Sequence, residues 1–255
     1  MADIDLEALA AGYAHRVATP ESLARAAAAS DAARLGPGSV ALDIGGGRGR
    51  HAGVFAERGA LAIVIDRSRG MASAAAEVPG VEVVVGDAAG LPLADGSADL
   101  AYFHLSIHYG DWRQTLDEAV RVVKPGGMVW VWTFGIEHLR SSFLAQWFPS
   151  IVPIDEARFP APESVAAHLE AAGCSGIALA EAPEVVERTA GEWRAAVVAG
   201  FVSTLQMLPP GEVEAGLARF TEAHPRPEEM VSYRLGYVSV CATTPSLRYG
   251  HSGTG

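Results

Sequence analysis

Apolar and polar positions follow two rhythms along the chain. Short runs dense in branched residues, at 40–44, 61–65, Val81–Val85 and 128–133, have the continuous apolar character of strands covered on both faces. Between them the spacing turns helical: Leu116, Ala119, Val120 and Val123 fall at i, i+3, i+4 and i+7, giving residues 112–123 one apolar face. Strands therefore alternate with helices, the pattern of an α/β fold.

The same signals extend to both ends. Residues 4–13 and 21–35 read as helices, the second opened by Thr19-Pro20-Glu21 and stopped at Gly36-Pro37-Gly38. After the glycine-rich stretch come a helix over 50–58, the strand ending at Asp66, and a helix that Ser68 can cap. Lys124-Pro125-Gly126-Gly127 closes the 112–123 helix, which makes Lys124 a helix-terminus charge. In the second half, 137–148 is expected to be one helix and the proline-containing segment after it irregular, followed by a helix over 162–172 and a short strand at 177–179. Thr189 and Glu192 form a capping pair for a helix running to Leu208, Pro209-Pro210-Gly211 breaks it, and another helix spans 212–223. A last strand is expected over 233–243, with a tail at 245–255 that has little to bury.

The chemistry gathers at Val40 to Arg50, V-A-L-D-I-G-G-G-R-G-R. A loop of glycines between a buried strand and a helix lets the backbone approach a ligand, because glycine tolerates positive φ and has no Cβ. A phosphate-binding P-loop would end in Gly-Lys-Ser/Thr, yet the sole lysine is Lys124, so that alternative fails. A dinucleotide site remains open, since Gly47, Gly49 and Ala52 satisfy G-x-G-x-x-A and Asp66 stands near the spacing of a ribose-binding carboxylate. Asp66 ends a strand beside the first, where its two oxygens can accept hydrogen bonds from both ribose hydroxyls.

Composition narrows the partners. A net charge of -11 with 19 basic residues argues against a nucleic-acid surface, which rests on clustered Lys and Arg. Two cysteines are too few for a disulfide framework, the first residues are acidic where a signal peptide is basic, and no apolar run reaches membrane-span length. The expectation is a single domain over 1–244 in the cytoplasm, without a membrane or nucleic-acid partner; a homodimer stays open. No His, Cys, Asp and Glu set has metal-ligand spacing, so no metal is expected.

Asp43, Gly45, Gly47 and Gly49 also satisfy D-x-G-x-G-x-G, which resembles the first motif of class I S-adenosylmethionine-dependent methyltransferases. The likeness continues through Gly86-Asp87-Ala88, the segment A-G-L-P-L-A-D-G-S-A-D-L-A-Y-F, and D-E-A-V-R-V-V-K-P-G-G-M-V-W-V-W. It is close over 40–133 and holds in outline thereafter, nearest to the branch that acts on small molecules in quinone and secondary-metabolite biosynthesis. The resemblance implies a Rossmann-like, seven-stranded, mainly parallel sheet with helices on both faces and a final antiparallel strand. It also implies S-adenosylmethionine as cofactor and a small-molecule acceptor. Asp43, the three motif glycines, Asp66 with Arg67, Asp87 with Ala88, and Phe103 form the cofactor set it carries over. N-terminal helices over 1–36, a cofactor core over 37–134 and a helical lid over 184–230, inserted before the last strand, complete the implied plan. Alternatives are a non-catalytic cofactor-binding protein, a non-methylating enzyme on the same fold such as a cyclase, and, more remotely, an NAD-dependent oxidoreductase. A short-chain dehydrogenase would need a tyrosine four residues before Lys124, where Val120 stands.

Just beyond the fourth strand, His104 and His108 are candidate general bases, because histidine titrates near neutrality. His104 is the nearer to the expected reacting carbon. His51 and His168 read as solvated, capping or half-buried residues, and Tyr13 as a packing residue able to fold over a cofactor. Trp193, Val197, Phe201, Leu205 and Leu208 follow helical spacing, for docking on the sheet or for lining a lid. Asp66→Ala and Asp87→Ala are each expected to weaken binding of S-adenosylmethionine by about 1–3 kcal/mol in calorimetric titration, because each strands a ribose or adenine donor. Unchanged affinity in both variants would remove these residues from the site.

Overall fold

The branched apolar runs become strands of one sheet, and the helical spacings pack on its two faces. The computed structural model describes residues 4–13 and 19–246. The sheet has seven strands: β1 (Val40–Ile44), β2 (Leu61–Asp66), β3 (Val81–Val85), β4 (Ala98–His104), β5 (Val123–Phe134), β6 (Ser175–Thr189) and β7 (Met230–Thr243), in the order β3-β2-β1-β4-β5-β7-β6. β1 to β5 run parallel, whereas β7 is antiparallel to both β5 and β6. The chain leaves β1 toward β2 and β3 and returns to β4 on β1's other side, so a crevice opens at the carboxyl ends of β1 and β4.

Alternation along the strands fills two cores. Leu42, Ile44, Ala101 and Phe103 pack with Leu116 of α5 (Trp112–Val122) and with Val165 and Leu169 of α9 (Pro162–Ala171). Ala41, Val64, Leu100 and Tyr102 face the opposite way, against Ala26 and Ala29 of α2 (Pro20–Ala32), Phe55 of α3 (Arg50–Glu57) and Ala75 of α4 (Arg69–Ala75). The helix starts follow their capping residues: Thr19 accepts from the Ser22 N–H at 3.2 Å, Ser68 from that of Met71 at 3.1 Å, and Asp111 from those of Arg113 and Gln114.

Several boundaries differ from the sequence expectation, each for a local reason. Lys124 lies within β5 and binds both oxygens of Asp99 at 2.9 and 2.8 Å, while Asp99 also accepts from the Val40 N–H. The single helix expected over 137–148 is two, α6 (Ile136–Ser141) and α7 (Phe143–Trp147), because Ser142 turns extended (φ -61°, ψ 151°) and caps the second. The segment expected to be irregular forms α8 (Ile151–Arg158); Pro153 lies in its first turn, where a missing N–H costs little. β6 is far longer than 177–179, so 184–189 belongs to a strand and the inserted helices begin at 190. α10 (Ala190–Val198) stops ten residues before Leu208, as Gly200 at φ +66° lets the Phe201 N–H reach the Ala196 carbonyl. The tail from 247 to 255 lies outside the described residues.

A third core sits apart from the sheet faces. Trp193, Val197, Phe201 and Leu205, expected on the sheet or in a lid, pack with Phe148, Ile151, and Phe220 of α11 (Glu212–Ala223). This cap stands at the edge of the sheet where β6 and β7 extend together to Thr189 and Met230. The remaining helix, α1 (Leu6–Gly12), bridges cap and core. Gln206 of the cap exchanges two hydrogen bonds with the Asp5 backbone, and Glu7 accepts from the Arg69 and Gly70 N–H groups at the start of α4.

The cap's packing leaves no space at Gly216, where an added Cβ would lie 2.2 Å from Phe148 Cε1 and 2.7 Å from the Trp147 carbonyl oxygen. Gly216→Ala is therefore expected to lower stability to denaturant by about 1–3 kcal/mol, since a backbone atom as well as a ring must move. An unchanged urea midpoint would contradict this docking of α11.

Candidate active site

The crevice begins where β1 ends. Gly45, Gly47 and Gly49 adopt φ of +65°, +56° and +73°, a region open to glycine at little cost. A Cβ on Gly45 would lie 2.5 Å from that of Ser106, whose hydroxyl donates to the Ile44 carbonyl at 2.6 Å, so the loop and the end of β4 touch here. The loop's amides are largely used internally: Gly45 donates to the Ile65 carbonyl at 2.7 Å, Gly47 to Asp66 Oδ2 at 2.9 Å and Gly49 to the Gly46 carbonyl at 3.0 Å. Asp43 is enclosed beneath the loop rather than exposed in the cleft, and its Oδ2 accepts from the Ala52 N–H at 3.2 Å. Burial pushes its carboxyl up to about 7, against the pull of that N–H.

The cleft beside the loop is lined by Asp66, Arg67, Asp87, Ala88 and Phe103, with Leu6, Leu9 and Tyr13 contributed from the N-terminal segment. Gly45 and Gly47 line it as well, whereas Gly49 turns toward Ala75 of α4. Asp66 accepts from Gly47 through Oδ2 and from the Ser68 N–H through Oδ1 at 2.9 Å, which orients the carboxylate and leaves a second lone pair on each oxygen. Burial raises its pKa, opposed by these N–H groups and by Arg67. Arg67 spans the mouth, 3.5 Å from Asp87 and donating to the Tyr109 carbonyl at 2.9 Å. Acidic acceptors at one end and an apolar wall of Ile65, Met71 and Phe103 suit a hydroxyl-bearing adenosyl group. The arrangement suits a pyrophosphate poorly: the loop amides that would hold it already have partners, and two carboxylates face the space.

A second cavity, about 190 Å³, opens between sheet and cap, and His104, Leu105 and Tyr13 line both. His104 follows Phe103 on β4 and so faces the opposite side of the sheet, its ring 5.5 Å from Tyr237. Leu105 is held at φ +53°, an unusual conformation for leucine, by its N–H bond to the Trp132 carbonyl at 3.0 Å. His108 is buried in the short 3-10 turn after β4 and stacks on Phe159 with centroids 3.9 Å apart. Arg25 pairs with Glu184 and lies 3.8 Å over the Tyr237 ring, fixing the wall behind His104.

Sequence spacing missed His51, assigned there to solvent or a cap. It lines the second cavity, its ring 4.4 Å from that of His104 and its Nε2 2.9 Å from the Ser22 hydroxyl. No local pattern announces this, although its first-turn position after the glycine loop puts it near the strand ends. His138 joins the same wall and accepts from the Gly236 N–H at 3.1 Å, whereas His168 pairs with Asp117 on the surface. Among the described residues no group of three or more His, Cys, Asp or Glu could hold a metal ion, and no helix is long and apolar enough to cross a membrane.

Burial, then the charges of Arg50 and Arg25, hold His51 down at about 4, against 6.5 ordinarily. The unfolded chain thus binds a proton here that the folded chain refuses. The stability this supplies is complete above about pH 6.5 and is lost as pH falls toward 4. His51→Gln is expected to flatten the decline in melting temperature across that window relative to the parent. Parallel curves for the two proteins would show that His51 is not held neutral.

The fold agrees with the comparisons. A family model described as a methyltransferase domain matches residues 42–131. Demethylmenaquinone methyltransferase of Corynebacterium efficiens is 40% identical over 103 residues, covering 39% of this chain and 44% of that protein. Malonyl-[acyl-carrier protein] O-methyltransferase of Methylococcus capsulatus is 37% identical over 109 residues, covering 39% and 38%. The chain thus spans less than half the length of these curated relatives. A crystal structure described as a putative methyltransferase from an antibiotic biosynthesis pathway of Anabaena variabilis superposes with a TM-score of 0.66 at 23% identity, over 85% of this chain and 96% of the other. Residues 42–131, which hold the glycine loop, thus carry a methyltransferase domain, and the chain shares its fold with the Anabaena protein.

Proposed function

We propose that the protein transfers a methyl group from S-adenosylmethionine to a small organic acceptor held between the sheet and the cap. The observation that carries this reading is the junction of the two cavities at His104, Leu105 and Tyr13. When bound, the cofactor supplies an already activated methyl group. The chain's own task is then to hold an acceptor lone pair in line, exclude water and take up a proton where the acceptor carries one.

Asp66 receives the ribose hydroxyls and Asp87 the adenine amino group, with Ala88 and Phe103 beside the bound molecule. Asp43 supports the loop from below and acts on the cofactor only through it. For a hydroxyl acceptor, the O–H proton passes to a ring nitrogen of His104 as the oxygen takes the methyl group. His51, held neutral by burial and bonded to Ser22, adds no positive charge to oppose the imidazolium so formed. His108, stacked on Phe159, shapes the wall instead of moving the proton. The two named relatives carry different acceptors in their names and resemble this chain over only 103 and 109 residues, which supports leaving acceptor choice to the cap and the second cavity. Aromatic lining from Phe134, Phe143, Phe159 and Trp193 favours an apolar small molecule over a polymer.

The test is a screen of hydroxylated aromatic acceptors for S-adenosylhomocysteine release. His104→Gln is expected to lower turnover by about 10²–10⁴-fold while retaining affinity for S-adenosylhomocysteine, and His108→Gln to lose less than about tenfold. Full turnover in the His104 variant would move the base elsewhere. Acceptor consumption without S-adenosylhomocysteine would replace transfer with another reaction on this fold.

A further inference from the structure

At the far end of the second cavity an arginine stands without a counter-charge. Arg188 is 8% exposed and lines the cavity, and its Nε is enclosed with no hydrogen-bond partner. The other buried guanidinium groups nearby each have an acid: Arg25 pairs with Glu184, although its Nη1 is also without a partner, and Arg158 donates to the Ser203 and Thr204 hydroxyls with Asp155 3.6 Å away. Glu192, the acid that most directly feels Arg188, is committed to the start of α10, where it accepts from the Thr189 N–H at 2.9 Å and from the Thr189 hydroxyl at 3.0 Å. What Arg188 does meet is the Phe201 ring, 5.5 Å from its guanidinium carbon. A buried cation without an anion is costly, and a ligand that supplies one recovers that cost.

The register fixes where that anion would sit. β6 and β7 pair Ala182 with Tyr237, Glu184 with Leu235, Val186 with Tyr233 and Arg188 with Val231. Tyr237 packs beside His104, so Arg188 lies six residues further along the strand, about 20 Å away before its side chain reaches back. The charge is therefore too distant to be the methylated group. Arg188 shares this part of the cavity with Val186, Trp193, Phe201 and Tyr233, none of them charged, so its one guanidinium balances a single negative charge. A dianion would leave net charge buried.

We infer that the distal end of this cavity is a carboxylate-binding subsite built on Arg188, and that the acceptor is an elongated apolar molecule carrying one carboxylate remote from its methylated atom. This rests on the methyl-transfer reading for the word acceptor, and on cavity geometry alone for the subsite.

The probes are 2-naphthoate, 2-naphthamide and 2-naphthyl phosphate, titrated calorimetrically into the full chain. The parent is expected to bind the naphthoate about tenfold or more tightly than the amide, the strength of a charge-assisted hydrogen bond, and more tightly than the phosphate. Arg188→Met should bring naphthoate and naphthamide within about twofold of each other without changing amide affinity, and Arg188→Lys should keep part of the preference. Equal binding of acid and amide by the parent, no binding of the acid, or a preference that survives in Arg188→Met would overturn the subsite. Tighter binding of the phosphate would overturn its assignment to a carboxylate. The parent's acid-to-amide ratio needs no variant, so a misfolded Arg188→Met does not weaken the test. S-adenosylhomocysteine release is read separately: its absence alongside acid selectivity discards methyl transfer and keeps the subsite, and the converse discards the subsite alone.

Discussion

The site depends on one close approach, between the backbone at the end of β1 and the start of the turn after β4. Gly45 has room for a hydrogen and nothing larger beside Ser106, and the serine hydroxyl closes the gap by donating to the Ile44 carbonyl. This contact brings the first and fourth strand ends together at the point where the sheet order reverses. The glycine loop is then pinned from its other side by the Asp66 carboxylate on the Gly47 N–H. One cavity forms on the Asp66 side, another on the His104 side, and they meet at residues immediately after β4. A side chain at position 45 would separate the strand ends and with them the two halves of the reaction site.

The second half is organised by the long pairing of β6 with β7. Both strands continue past the last residues that pair with β5, and their extension holds the cap with its own aromatic core. Because the cap is built on sheet strands rather than hung on loops, its wall residues keep a strand register with those at the junction. Tyr237, Leu235 and Tyr233 mark successive steps along that wall. The buried arginines show how the chain handles charge there: Arg25 pairs with Glu184, Arg158 stands beside Asp155 and donates to two hydroxyls, and Arg188 faces the cavity. The molecule is acidic overall, at -11, yet keeps this positive charge on the cavity wall.

His51 and His104 form a contact whose surroundings favour His104 as the proton acceptor in the transfer proposed above. Burial and two arginines keep His51 neutral, and Ser22 fixes its ring. Charge formed on the adjacent ring therefore meets an uncharged neighbour. At the opposite side of the turn, His108 stacks on Phe159 and lies tilted against Tyr109, an environment of ring packing. The two histidines that the sequence presented as candidates, His104 as the nearer to the reacting carbon, thus differ in surroundings, one at the cavity junction and one stacked in the wall.

The local code of the chain was enough for the cofactor half. Strand runs, capping residues and glycines at positive φ are short-range features, and β1 to β5 with the loop and Asp66 follow from them because parallel strands with crossover helices leave few ways to assemble. The sequence even assigned the α4 cap to Ser68, freeing Asp66 for the cleft. It misjudged the second half, where 137–160 divides into three helices and β6 outlasts its apolar signal, since one face of that strand is exposed and its pattern of Glu, Ala and Val is weak. His51 beside His104, and Arg188 without an acid, were beyond any pattern along the chain. Both are relations between side chains that meet, or fail to meet, only when distant segments are packed together. Spacing along a chain determines which face a residue occupies; tertiary structure alone decides what that face encounters.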